Sequence, residues 1–156
     1  GHRRILHVAG PLDWLDARAR EEAWRRVLHE AGAPIVEPII GDWSSDFGYH
    51  AALTSPLIDD ATAIFAANDQ MALGLLHGLA KRGLRVPDDI SVVGFDDLPD
   101  ARHFMPPLTT VRQDFEALGA LSMSMLLRAI EGDRVITSEH IVPTLLVRES
   151  TAPAAR

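Results

Sequence analysis

An apolar run that breaks on an amide–carboxylate pair and resumes with helical spacing constrains this chain more than any other feature. Ile64-Phe65-Ala66-Ala67 leads into Asn68-Asp69, after which Met71, Leu75 and Leu79 fall on one helical stripe. A buried parallel strand running into a helix has this pattern. Asp69 suits an N-cap or first-turn position, which leaves Asn68 at the carboxyl end of the strand. Ser91-Val92-Val93-Gly94-Phe95-Asp96-Asp97 repeats the design, an apolar run ending in a polar pair. Ligands of open α/β sheets sit beyond the carboxyl ends of the strands. Asn68 and Asp96 are therefore expected at one binding edge.

The remaining elements support that edge. Ile5–Ala9 reads as a buried strand closed by a Gly10-Pro11 turn. Residues 16–31 carry Ala17, Ala23, Trp24, Val27 and Leu28 on one helical face, with Gly32 as the stop. Residues 35–40 read as a second strand, near an edge because of Pro38. A turn at Gly41-Asp42-Trp43-Ser44 precedes a helix over about 45–54, stopped near Pro56, and the helix after Asn68 runs to Arg82 before Gly83. A proline-containing loop, 98–108, leads to a short extended piece at 109–111. Residues 113–131 are helical, with Phe115, Leu118, Leu121, Met125, Leu126 and Ile130 on a broad apolar face, and 139–148 is an edge-like last strand. The tail, 151–156, reads as loose. Strand–helix alternation predicts an α/β, doubly wound, mostly parallel sheet with helices on both faces.

Composition removes several function classes. The 156 residues carry a net charge of −7, which argues against this segment itself holding a nucleic-acid backbone. There is no cysteine, so disulfide and thiolate chemistry are excluded. No apolar run spans a bilayer, no membrane partner is expected, and Gly1-His2-Arg3-Arg4 enters the first strand directly, as if cut from a longer protein. The seven histidines are scattered without zinc-ligand spacing, so no metal site is predicted. Dinucleotide, Walker and serine-hydrolase signatures are absent, and no nucleophile–base pair is visible. An acidic phosphoacceptor pocket around Asp96-Asp97 would need carboxylates after the first strand, where Gly10-Pro11 stands instead. No cofactor and no enzymatic activity are predicted.

Each polar candidate has an ordinary structural role open to it. Asn68 can bond its own backbone at a strand end, and Asp96 and Asp97 can be solvated or can cap a helix. Together, with Arg20 near the start of the first helix, they offer paired donors and acceptors suited to vicinal hydroxyls. Trp43 follows another strand at the same end of the sheet. Its indole can pack on the C–H face of a sugar ring or serve as core.

Three stretches carry a family likeness: Ala67-Asn68-Asp69-Gln70-Met71-Ala72-Leu73-Gly74, Asp89-Ile90-Ser91-Val92-Val93-Gly94-Phe95-Asp96-Asp97 and Pro106-Pro107-Leu108-Thr109-Thr110-Val111. With Gln113-Asp114-Phe115, Leu118-Gly119, Arg18-Ala19-Arg20-Glu21-Glu22-Ala23-Trp24 and Gly41-Asp42-Trp43-Ser44, they resemble the lactose-repressor (LacI/GalR) family of bacterial transcription regulators. The likeness runs from Gly1 to about Ser150. It implies a two-lobed, periplasmic-binding-protein-like sensor domain with a sugar or glycoside effector in its cleft. By that resemblance Arg20, Asn68 and Asp96 bond sugar hydroxyls, Trp43 stacks on the ring, and Phe95, Gln113 and Phe115 help line the pocket.

The same likeness divides the chain into a carboxyl lobe (1–108), a crossover and amino-lobe helix (109–132) and a returning strand (133–150). It implies a cytoplasmic homodimer joined through Leu73, Phe104 and Met105, with operator DNA bound only through an amino-terminal head outside this sequence. Ala23 stands where the family usually has glycine, a change expected to cause slight repacking. The apolar face of helix 114–131 is expected to lack its partners and to seek others. A secreted sugar-binding protein of a transport system shares the implied fold and is the alternative.

Overall fold

In the computed structural model, residues 1–132 and 140–154 are described. Strands β1 (Ile5–Ala9), β2 (Ile39–Ile40), β3 (Ala63–Ala66), β4 (Ser91–Asp96), β5 (Thr109–Arg112) and β6 (Thr144–Leu146) form one sheet. Their order is β2-β1-β3-β4-β5-β6. All neighbours pair in parallel except β5 with β6, which are antiparallel. This is the expected doubly wound, mostly parallel α/β sheet.

Alternation along the strands divides the two faces. Leu6, Val8, Ile64, Ala66 and Val92 point to one side, where they meet Ala52, Met71, Leu75 and Leu79 in the main core. Those partners come from α2 (Ser45–Thr54) and α4 (Asp69–Lys81), which pack against each other as well as the sheet. The opposite face carries His7 and Phe65 and is covered by α1 (Leu15–Glu30) through Ala17, Trp24 and Leu28. Removing these apolar surfaces from water is the main favourable term in such a fold.

Four departures from the sequence reading have local causes. The strand expected over 35–40 shrinks to Ile39–Ile40, because Pro38 has no N–H for the ladder, and Ile35 and Val36 are exposed. Pro56 starts a further short helix, α3 (Leu57–Asp60), rather than only ending the previous one. Of the expected last strand, Thr144–Leu146 is paired, and residue 139 lies outside the described residues. The tail is not loose as far as Ala152. Ser150 is fully buried, its Oγ donating to the Val92 carbonyl at 2.6 Å and accepting from Thr109 N at 2.7 Å. Ala152 N donates to Ser91 Oγ at 3.1 Å, and the Ala152 carbonyl bonds the His2 ring at 3.0 Å. The sheet's own polar groups tie the tail down, which apolar patterning does not reveal. Residues 155–156 lie outside the described residues.

The last helix, α5 (Phe115–Ile130), stands apart. None of its residues is buried, and Phe115, Leu118, Met123, Leu126, Leu127 and Ile130 are exposed. No helix among the described residues is long and apolar enough to cross a membrane.

His7 gives the fold a pH dependence of known sign. Its ring stacks on Phe65 with centroids 4.7 Å apart and planes 10° apart. Nδ1 bonds the Phe65 carbonyl at 2.9 Å, which assigns the proton to Nδ1. Nε2 is buried with no partner among the described residues. Burial lowers the His7 pKa from 6.5 to about 4, against opposing help from the Phe65 carbonyl and Glu21. Below the unfolded value, the unfolded chain takes up a proton that the folded chain refuses, so stability falls as pH drops through this window. The full difference corresponds to about 3 kcal/mol. Urea melts at about pH 7 and about pH 4.5 should show the parent losing about 2–3 kcal/mol more than His7→Phe. Equal losses would show that His7 does not set the slope.

Candidate ligand-binding site

The carboxyl ends of the strands open onto a cleft of about 470 Å³ lined by Arg20, Trp43, Asn68, Asp96, Gln113 and Phe115. Six of the seven ligand-binding candidates are therefore brought to one place. The seventh, Phe95, lies beneath Arg20, whose guanidinium carbon sits 4.1 Å from its ring centroid and 5.9 Å from that of Trp43. Stacking on two rings directs a long, flexible side chain to the cleft wall. Trp14, Asp16, Gln70 and Leu98 also line the cleft and were not singled out from the sequence. The signal was present for Trp14, which follows the turn at the end of β1 on the same edge.

Asn68 is the N-cap of α4: its Oδ1 accepts from Met71 N at 2.9 Å. Its Nδ2 donates to the Trp43 carbonyl, also at 2.9 Å. Both ends of the amide are thus engaged in the protein, and Asn68 is 6% exposed. Each end keeps capacity for one further bond, so Asn68 both positions Trp43 and presents polar groups at the cleft that it lines. Asp69, the next residue, is fully buried. Its carboxylate accepts from Leu98 N at 2.8 Å and from Thr110 Oγ1 at 2.6 Å. Burial still pushes the Asp69 carboxyl upward, with those two bonds opposing.

Among the described residues, three that are not glycine adopt positive φ: Trp43 at 73°, Asp96 at 111° and Asp97 at 55°. All three lie at this edge, and two line the cleft. Such conformations persist only where the surroundings fix them, and they concentrate at functional sites. Trp43 is fixed by the Asn68 bond and by its indole lying on Gly10, where any Cβ would overlap the ring. Asp42 Oδ1 holds the next residue by accepting from Ser44 N at 2.9 Å. Ser44 in turn caps α2 through Phe47 N.

Asp96 Oδ1 accepts from Gln113 Nε2 at 2.8 Å. Burial pushes the Asp96 carboxyl up, while Gln113 and the Arg20 charge pull it back. Asp97 behaves in the opposite sense. Burial opposes its ionisation, but hydrogen bonds from Arg148 and Arg112 outweigh that and hold it below its ordinary value. Asp97 is thus committed to structure, whereas Asp96 keeps acceptor capacity facing the cleft. The cleft combines donors (Arg20, Gln113), an acceptor (Asp96) and aromatic walls. That set suits a ligand with hydroxyls on one side and apolar ring C–H groups on the other. Among the described residues no group of three or more His, Asp or Glu is placed to hold a metal ion.

The dimer candidates lie elsewhere, on α4 and the loop before β5. Leu73 is 42% and Met105 89% exposed, whereas Phe104 is half-buried against the main core.

The double use of Asn68 is testable. Asn68→Ser keeps an oxygen for the cap but loses the donor to Trp43, and Asn68→Ala loses both. Chemical denaturation should rank parent above Ser above Ala, with the Ala variant down by about 2–3 kcal/mol. Equal losses in the two variants would show that the cap contributes nothing.

A family model described as a periplasmic binding protein-like domain matches residues 1–151. The lactose operon repressor of Escherichia coli (strain K12) is 38% identical over 157 residues, an alignment covering 99% of this chain and 43% of that protein. The HTH-type transcriptional regulator CelR of Thermobifida fusca is 38% identical, over 96% of this chain and 45% of that one. Among solved structures, the lac repressor dimer bound to operator and the anti-inducer ONPF superposes with a TM-score of 0.90 at 38% identity, covering 97% of this chain and 53% of the other. The complex of the transcriptional regulator CelR with cellobiose gives 0.85 at 38% identity, covering 96% and 47%. The chain thus spans less than half the length of these two curated relatives. It belongs to the periplasmic binding protein-like domain family.

Proposed function

We propose that this chain is the effector-sensing part of a LacI-type transcription regulator and that the effector is a sugar or glycoside. The observation that carries the reading is the convergence of Arg20, Trp43, Asp96, Gln113 and Phe115 on one cleft. In this reading Arg20, Asp96 and Gln113 bond hydroxyls, and Trp43 and Phe115 cover ring faces. Asn68 holds Trp43 in place, and Phe95 supports Arg20. The complex of CelR with cellobiose and the operator-bound lac repressor are consistent with it.

Residues 1–108 form the carboxyl lobe, 109–132 the crossover and a helix of the amino lobe, and 133–150 the return. The lack of any buried residue on α5 supports that division, because an amphipathic helix in an intact domain buries its apolar face. Operator DNA is contacted by a separate head, in keeping with the net charge of −7 here. The protein works in the cytoplasm as a homodimer, without cofactor or catalysis, using exposed Leu73 and Met105 with Phe104 behind them. A transport-type sugar-binding protein would share the fold, but the relatives described above are transcription regulators. Effector binding alters DNA binding only if the effector has different affinity for the two lobe arrangements.

A thermal-shift screen of simple sugars against the full-length protein, with Asp96→Ala beside it, tests the reading. At a concentration of about 100 times Kd, a true effector should raise the parent's Tm by about 5–10 °C and leave the variant unmoved. Stabilisation by purines or amino acids in place of sugars would overturn the carbohydrate assignment.

A further inference from the structure

Trp14 is the cleft residue whose position its local structure does not explain. It occupies the N-cap of α1, where a serine, threonine, aspartate or asparagine would accept a hydrogen bond from the first turn. The indole offers no acceptor, and no side-chain cap bond is made there. Its backbone is held in a turn, Trp14 N donating to the Pro11 carbonyl at 3.1 Å, so the side chain is presented from a fixed base. The side chain is not core either, since Trp14 is 57% exposed. It nonetheless lines the cleft and meets Trp43 edge-on, with centroids 6.0 Å apart and planes 69° apart.

The polar groups are arranged unevenly around this pair. Asp96 and Gln113 are bonded to each other, and Arg20 lies over Phe95 and Trp43, its charge favouring the Asp96 carboxylate. A first ring that uses these hydrogen-bonding groups can lie on Trp43. The edge-on contact between the indoles leaves Trp14 turned away from Trp43's plane, as a second apolar wall set at a steep angle to the first. An exposed aromatic beside a built polar subsite fits a ligand that is polar at one end and ring-shaped and apolar-faced at the other.

We infer that Trp14 forms an outer aromatic subsite that selects a two-ring glycoside, its first sugar bonded at Arg20, Asp96 and Gln113 and its second ring packed on the Trp14 indole. The inference rests on the sugar-sensing reading above and extends it to the size of the effector. The second ring can be another pyranose or an aromatic aglycone, since both present an apolar face.

Isothermal titration of the full-length protein with glucose, galactose, cellobiose, lactose and the nitrophenyl glycosides of the two monosaccharides tests it. The best two-ring ligand should bind the parent at least about tenfold more tightly than its own monosaccharide. Trp14→Ala should lose about that factor for two-ring ligands and change monosaccharide affinity less than about twofold. Trp14→Phe, which keeps an aromatic face, should recover most of the difference and guards against a misfolded alanine variant. Preference for disaccharides or for nitrophenyl glycosides then identifies the second ring. Equal weakening of one-ring and two-ring ligands, or no change for either, overturns the subsite while leaving sugar sensing intact. Failure of every sugar to bind the parent overturns both.

Discussion

Two adjacent side chains at the start of α4 organise the whole carboxyl edge of the sheet. Asn68 caps the helix and holds the Trp43 carbonyl, which fixes the loop after β2. Asp69, one residue on, holds Leu98 N in the loop after β4 and Thr110 Oγ1 in β5. Three segments distant in sequence are thereby set relative to one helix terminus. The arrangement also dictates Gly94, where a Cβ would overlap the Asp69 carboxylate. A buried carboxylate is costly unless hydrogen-bonded, and its two donors here offset only part of that cost, as its upward-shifted pKa indicates. A helix N-terminus favours negative charge, and Asp69 sits in the first turn of α4, which lowers the remaining penalty.

That anchoring is what makes the strained backbone at the cleft sustainable. A residue held at positive φ costs about 1–3 kcal/mol when it is not glycine. Trp43 and Asp96 both carry that cost, and both are restrained from two sides: Trp43 by Asn68 and Gly10, Asp96 by Gln113 and by its bonded neighbour Asp97. The gain is direction. A tryptophan in an ordinary extended conformation after β2 would aim its indole elsewhere, whereas the left-handed turn lays it over Gly10 along the cleft wall. In the proposed reading, the restrained walls mean that little ordering is left for a ligand to impose, which is how preorganisation raises affinity.

The architecture was legible because burial writes itself into sequence. Largely apolar runs at 5–9, 64–67 and 91–95, too short for helices, read as parallel strands covered on both faces, and their polar ends locate the edge without any side-chain detail. Pairing to the tail was not legible, since Ser150 binds Val92 and Thr109 through a hydroxyl, and hydroxyls carry no periodicity. Positive φ at Trp43, Asp96 and Asp97 was equally hidden, because the usual marker, glycine, is absent from those positions. Asn68 shows a subtler limit. Its residue type suits both a cap and a ligand contact, and only the geometry reveals that both ends of its amide are already engaged. Trp14 shows the reverse: a tryptophan beside a helix start reads as core, and its exposure is a property of the fold.

The Asp96–Gln113 bond joins the end of β4 to the segment leaving β5, and that segment leads directly into α5. Asp96 Oδ1 already accepts from Gln113, so an incoming hydroxyl must use the remaining lone pairs or displace the amide. In either case ligand binding and the orientation of the chain at 113–115 share one carboxylate. Phe115, the first residue of α5, lines the same cleft, and no residue of that helix is buried. A ligand seated against Asp96 and Phe115 therefore acts on both sides of the point where the chain leaves the sheet. Under the proposed two-lobe reading that is where a difference in contacts would favour one lobe arrangement over another, and a few hydrogen bonds of differential affinity are enough to move such an equilibrium. The arginine pair on Asp97 gives that movement a fixed base, since Arg112 ends β5 and Arg148 follows β6, and both are tied to the residue beside Asp96.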